Sequence, residues 1–153
     1  MDLILWRHAE AEEPENDMSD LERALTRRGQ RQASRMAAWL ERQLSEGTRI
    51  YVSPAVRAVQ TAHALERKFE QRDELLPGAT SDALLQLAGW PATKKPALIV
   101  GHQPTLGQTV ARLLGTTEPE CSVKKGAVWW LRSREHGGAQ QTVVVTVQAV
   151  ELL

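Results

Sequence analysis

Three short apolar runs punctuate the chain: DLILW at residues 2–6, RIYVS at 49–53 and PALIVG at 96–101. Runs this short and this apolar read as strands buried on both faces, as in parallel sheets. Between them, apolar residues recur at helical spacing. Ala33, Met36, Ala37, Leu40 and Leu44 mark one helix, and Ala55, Ala58, Ala62, Leu65 and Phe69 a second. Leu84, Leu85 and Leu87 suggest a shorter helix after the turn PGATSD, and Leu106, Val110, Leu113 and Leu114 mark another. Strands alternating with helices predict an α/β fold, a three-layer α/β/α sandwich around a mostly parallel sheet. AVWWL and TVVVTVQAV, separated by RSREHGGAQQ, predict an antiparallel hairpin at the C-terminal end.

Such a sheet dictates where chemistry collects, because ligands gather beyond the carboxyl ends of its strands. The segments that follow the three runs are RHAE, SPAVRAVQTA and GHQP. They supply Arg7 and His8, then Arg57, then His102. Two arginines and two histidines on one sheet edge make a pocket for a dense anion, and phosphate is the obvious candidate. Each residue alone has a structural explanation. Ser53 and Pro54 suit a helix N-cap and first turn. Arg57 fits a solvated position on that helix, and Gly101 fits a tight strand-to-helix turn. The combination at three strand ends is harder to assign to folding.

A chain of 153 residues fits a single domain, residues 1–153. Folding at this size buries roughly two-thirds of the unfolded surface, enough for a core without staples. The 19 basic and 19 acidic residues balance, with no basic tail, so no nucleic-acid partner is expected. Cys121 is the single cysteine and has no internal disulfide partner, which suits a reducing cytoplasm. The LILW run is too short for a secretory signal or a membrane span, so no membrane association is expected. His8 and His102 lack a clustered carboxylate or cysteine at ligand spacing, and the arginines would repel a cation, so no metal and no cofactor is expected. Residues 10–22 are acidic but lack the alternating acids and glycine of a calcium loop. No Walker-type glycine loop is present.

LWRHAEA, LTRRGQRQA, VSPAVRAVQTA and LIVGHQPTL, in that order, resemble the successive signatures of the histidine phosphatase superfamily, also called phosphoglycerate mutase-like. The short chain, LTRRG, GHQP and the late KKGAVWWL are most similar to its SixA-type phosphohistidine phosphatases. The resemblance implies that His8 is the nucleophile that becomes phosphorylated. It implies that Arg7, Arg57 and His102 hold the phosphoryl oxygens.

Physical chemistry supports those roles independently. An attacking imidazole must be neutral, and neighbouring Arg7 and Arg57 push the His8 pKa down. Its second ring nitrogen needs a fixed acceptor, such as a backbone carbonyl, to set the tautomer. Arg7, Arg57 and a protonated His102 then clamp the charge spread over three equatorial oxygens.

A general acid is not evident. The resemblance implies a glutamate, carried by many members, between the second and third core strands, where this chain has LLPGATSDALLQL with Asp82 as its only acid. Glu10, just past the nucleophile, is the other candidate. Expelling an alkoxide generally needs a proton donor, whereas an imidazole or phenolate needs less help. The missing acid therefore favours protein phosphohistidine over sugar or glycerate phosphates. The absence of long capping insertions implies an open pocket. A small-molecule phosphatase, for a metabolite or nucleotide-linked phosphate, is the alternative enzyme. A phospho-ligand binding module with weak turnover is the alternative outside catalysis. The acids of residues 10–22 precede Arg23, Arg27, Arg28, Arg31 and Arg35. They read either as a solvated loop before a salt-laced helix or as a negative rim to the pocket.

Overall fold

In the computed structural model, which describes residues 1–153, the three apolar runs become the parallel centre of a six-stranded sheet. They form β1 (Asp2–Arg7), β2 (Arg49–Val52) and β4 (Ala97–Gly101). A two-residue β3 (Glu70–Gln71), β5 (Val128–His136) and β6 (Ala139–Gln148) complete it in the order β3-β2-β4-β1-β5-β6. β1 to β4 pair in parallel, β5 runs antiparallel to β1, and β6 antiparallel to β5. The helices are α1 (Arg27–Gln43), α2 (Val56–His63), α3 (Ser81–Ala88) and α4 (Thr105–Leu114).

The period-2 geometry of a strand sorts β1 between two cores. Ile4 and Trp6 pack with Met36, Leu40, Ala58 and Ala62 of α1 and α2. Leu3 and Leu5 pack with Leu84, Leu106 and Val110 of α3 and α4 on the opposite face. All four β1 side chains are fully buried, each worth roughly 1.5–3 kcal/mol relative to exposure. The layers are therefore helix, sheet and helix, with β1 and β4 at the centre. No helix is long and apolar enough to cross a membrane.

Three local expectations change. The second helix ends at His63, so Leu65 and Phe69 lie beyond it. The following chain is drawn out to pair β3 with β2. Leu65 still reaches the same core. The hairpin strands run through the charged RSREHGGAQQ segment, leaving only Gly137 and Gly138 as the turn. Both glycines have positive φ, 60° and 82°, which the tight two-residue hairpin turn requires. Polar strand residues are tolerated there because the outer ends of β5 and β6 are exposed. Finally, α2 begins at Val56 with Ala55 as its N-cap, so Ser53 and Pro54 precede the helix.

Candidate active site

The carboxyl ends of β1, β4 and β2 lie side by side, joined by backbone hydrogen bonds that continue the sheet. The His8 N–H donates to Gly101 O at 3.2 Å, and the Ser53 N–H to Val100 O at 3.0 Å. This brings His8 and His102 together, their ring centroids 5.2 Å apart and their planes inclined by 53°. Arg57 enters from the first turn of α2. Thr61, one turn later, ties that helix to the loop after β1: its hydroxyl donates to Arg57 O at 2.7 Å and accepts the Ala9 N–H at 3.1 Å. Arg7 is held from below by a hydrogen bond from Nη1 to Val123 O at 2.8 Å. Gly126 of the same loop donates its N–H to Arg7 O and His8 O. His8, Arg57 and His102 are recessed, only 5%, 4% and 3% exposed.

The His8 tautomer follows from one contact. Nδ1 lies 2.7 Å from Ala9 O, and a carbonyl only accepts, so Nδ1 carries the proton. Nε2 of the neutral ring is then an unprotonated nucleophile. Burial is the main cause that lowers the His8 pKa, to about 3, with His102, Arg57 and Arg7 adding smaller repulsions. The sequence pointed to the arginines as the cause; burial is the larger one.

His102 is also neutral rather than protonated. Burial and the nearby Arg57 lower its pKa to about 4, against a weaker opposing pull from Asp20. Its Nε2 lies 2.8 Å from the Ser53 hydroxyl. That oxygen already accepts the Ala55 N–H at 3.2 Å, and its own proton has no acceptor other than His102. Ser53 therefore donates to Nε2, which places the His102 proton on Nδ1. Nδ1 of His102, Nε of Arg7 and Nε of Arg57 are buried nitrogens with no partner in the protein. All three belong to side chains that neighbour the His8 ring.

The two terminal nitrogens of Arg57 are engaged by Asp20. Nη1 donates to Asp20 O at 2.8 Å and Nη2 to its carboxylate at 2.9 Å. This fork fixes the guanidinium and leaves its Nε free. Hydrogen bonds from Arg23 and Arg57 hold the Asp20 carboxyl below the usual carboxylate range. Ser53, Asp20 and Thr61 were not separately assigned by sequence reasoning. Ser53 has a sufficient local explanation as a cap, and Asp20 is one acid among many.

The candidate acids are engaged elsewhere. Glu10 accepts from the Thr26 hydroxyl at 2.7 Å and lies 3.6 Å from Arg28. Asp82 pairs with Arg112 on α4. Arg112 is seven residues past Thr105, about 10 Å down the helix from the end that follows His102.

A family description, histidine phosphatase superfamily (branch 1), matches residues 3–80. A phosphohistidine phosphatase SixA homolog from Haemophilus influenzae is 35% identical over 134 residues, covering 78% of this chain and 80% of that protein. The chain belongs to the histidine phosphatase superfamily.

Solved structures of this superfamily's fold superpose over almost the entire chain. The protein histidine phosphatase SixA complexed with tungstate matches with a TM-score of 0.78 at 26% identity, covering 99% of both chains. A phosphoserine phosphatase mutant from Entamoeba histolytica, in complex with phosphoserine, matches in fold with a TM-score of 0.75 at 18% identity, covering 99% of this chain and 98% of that one. The phosphoglycerate mutase-like sandwich expected from the motifs is the fold observed.

Proposed function

We propose that this chain is a cytoplasmic phosphatase that hydrolyses protein phosphohistidine through a phosphorylated His8. The observation that carries the reading is the bare Nε2 of a neutral His8 beside three unpartnered donors, Arg7 Nε, Arg57 Nε and His102 Nδ1. That arrangement fits a nucleophile and a tetrahedral oxyanion. The SixA relative solved with tungstate, itself a tetrahedral oxyanion, supports it.

In the first step the Nε2 lone pair of His8 forms a bond to phosphorus. The bond from phosphorus to the substrate nitrogen breaks, and its electron pair leaves with the substrate imidazole. That ring departs neutral because its other nitrogen already carries a proton. His8 keeps its Nδ1 proton on Ala9 O, so phospho-His8 is a cationic ring and a good leaving group. In the second step water attacks phosphorus, the bond to Nε2 breaks, and inorganic phosphate leaves while the water proton passes to phosphate or solvent. Arg7, Arg57 and His102 donate to the equatorial oxygens in both steps. His102 does this through Nδ1–H.

Neither Glu10 nor Asp82 is presented as a free proton donor, which supports a substrate whose leaving group departs unaided. The testing experiment is a hydrolysis screen over a histidine-phosphorylated protein, phosphoramidate, an aryl phosphate and a sugar phosphate. The proposal expects turnover of the first three and little of the last. Selective turnover of the sugar phosphate would refute it.

A further inference from the structure

The first half of α1 carries a charge pattern that folding does not explain. The helix has five arginines, Arg27, Arg28, Arg31, Arg35 and Arg42, and one acid, Glu41. The salt-laced face considered from the sequence forms only in part, with Arg23 paired to Asp20 and Arg28 near Glu10. Glu41 is committed to Arg67 at 3.0 Å, and Arg28 alone of the first four arginines approaches a carboxylate, Glu10 at 3.6 Å. Arg27, Arg31 and Arg35 stand exposed on successive turns without a carboxylate partner.

Their position is unfavourable to the helix itself. Cations near a helix N-terminus oppose its dipole, and like charges four residues apart repel, each effect costing a few tenths of a kcal/mol or more. The first turn contains no acid to offset them. Arg31 and Arg35 also line two shallow grooves of about 540 and 220 Å³. Glu151 is the sole acid lining either groove.

The helix that carries the stripe starts beside the nucleophile loop. Glu10, two residues past His8, donates its N–H to Gln32 of α1 at 3.0 Å and accepts from the N-cap Thr26. From Arg27 to Arg35 the stripe extends about 12 Å along the helix. A cationic face of that length, beside a site for a protein-borne phosphoryl group, matches a helix that presents carboxylates on successive turns. Guanidinium forks pair well with carboxylates. A nucleic acid is the poorer fit, since residues 27–35 carry no aromatic side chain on which bases could stack and the chain has no net basic charge.

We infer that Arg27, Arg31 and Arg35 form a docking face for a carboxylate-rich surface of the phosphohistidine-bearing protein substrate. The inference rests on the phosphatase reading given above. The test compares the unaltered protein with the double variant Arg31→Glu/Arg35→Glu on two substrates, an acidic histidine-phosphorylated protein and phosphoramidate. KM for the phosphoprotein should rise about tenfold or more at low salt with kcat unchanged. Phosphoramidate hydrolysis should not change, which also verifies folding. Arg31→Lys/Arg35→Lys should retain most of the affinity, and about 0.5 M salt should erase the difference between variants. An unaltered phosphoprotein KM in the charge-reversed variant would overturn the docking face while leaving the phosphatase reading intact. Loss of binding to a labelled single-stranded RNA, with that KM unchanged, would assign the stripe to nucleic acid and likewise overturn it. Failure of the unaltered protein to hydrolyse either substrate would sink the phosphatase reading, and the docking face with it.

Discussion

The Ser53 hydroxyl lies 2.8 Å from Nε2 of His102, across 49 residues of sequence, in a buried hydrogen bond. It fixes which nitrogen of His102 carries the proton and so which one donates into the site. Ser53→Ala leaves the imidazole in place but frees its tautomer. Removing an oxyanion donor outright costs about 10²–10³ in kcat, so releasing one should cost about tenfold. Steady-state kinetics on phosphoramidate give the size of the loss. Nitrogen-15 spectra of the ring should show His102 shifting from a pure Nδ1–H form to a mixture. A kcat loss without that shift would leave Ser53 a merely structural role.

Both histidines should also shape stability against pH. Their pKa values, about 3 for His8 and about 4 for His102, lie below the ordinary 6.5 because the folded site buries them. Between pH 6.5 and those values the unfolded chain binds protons that the folded chain refuses. The stability from keeping them neutral is therefore complete above pH 6.5 and is lost as pH falls towards 4 and then 3. The slope is at most about 1.4 kcal/mol per pH unit for each histidine. Urea unfolding midpoints should fall between pH 7 and pH 5, and His102→Gln should flatten the trend.

Gly29→Ala tests the seat of the nucleophile loop. A Cβ there would lie within 2.0 Å of Glu10 O, far inside contact distance. Alanine would gain about 1 kcal/mol in helix propensity, but overpacking against backbone costs about 1–3 kcal/mol or more. The clash should win. Thermal unfolding should show net destabilisation, and turnover should fall because Glu10 is two residues from His8.

Much of this architecture was legible because its signals are periodic. The central strands are apolar on both faces, and Met36, Leu40, Leu106 and Val110 repeat at helical spacing. Arg7, His8, Arg57 and His102 could be grouped because each follows a strand whose carboxyl end the topology fixes. Ser53 was hidden by its own local chemistry, since a serine before a proline already reads as a cap. Asp20 is one of several acids in a loop, and only the folded chain shows which one reaches Arg57. β3 is exposed and two residues long, so it has no apolar pattern to read. That His102 is neutral in the folded chain by itself could not be read either, because burial and Arg57 outweigh the attraction from Asp20, and burial is not visible in sequence.

The engagement of Glu10 and Asp82 elsewhere predicts a steep leaving-group dependence. Glu10→Gln and Asp82→Asn should each leave phosphoramidate hydrolysis nearly intact. Proton donation to a leaving group normally contributes about 10²–10⁴-fold, so alkyl phosphates should be poorer than aryl phosphates by a similar factor. A selective collapse on the alkyl ester in one variant would identify that residue as the acid and move the substrate towards ordinary esters.

The central claim is that His8 carries the phosphoryl group between the two steps. Rapid quench of the protein with phosphorus-32-labelled phosphoramidate measures it most directly. The account predicts a stoichiometric burst of label on His8, stable in base and lost in acid, and no label or turnover in His8→Ala. Substantial turnover in His8→Ala, or label found on another residue, would contradict it.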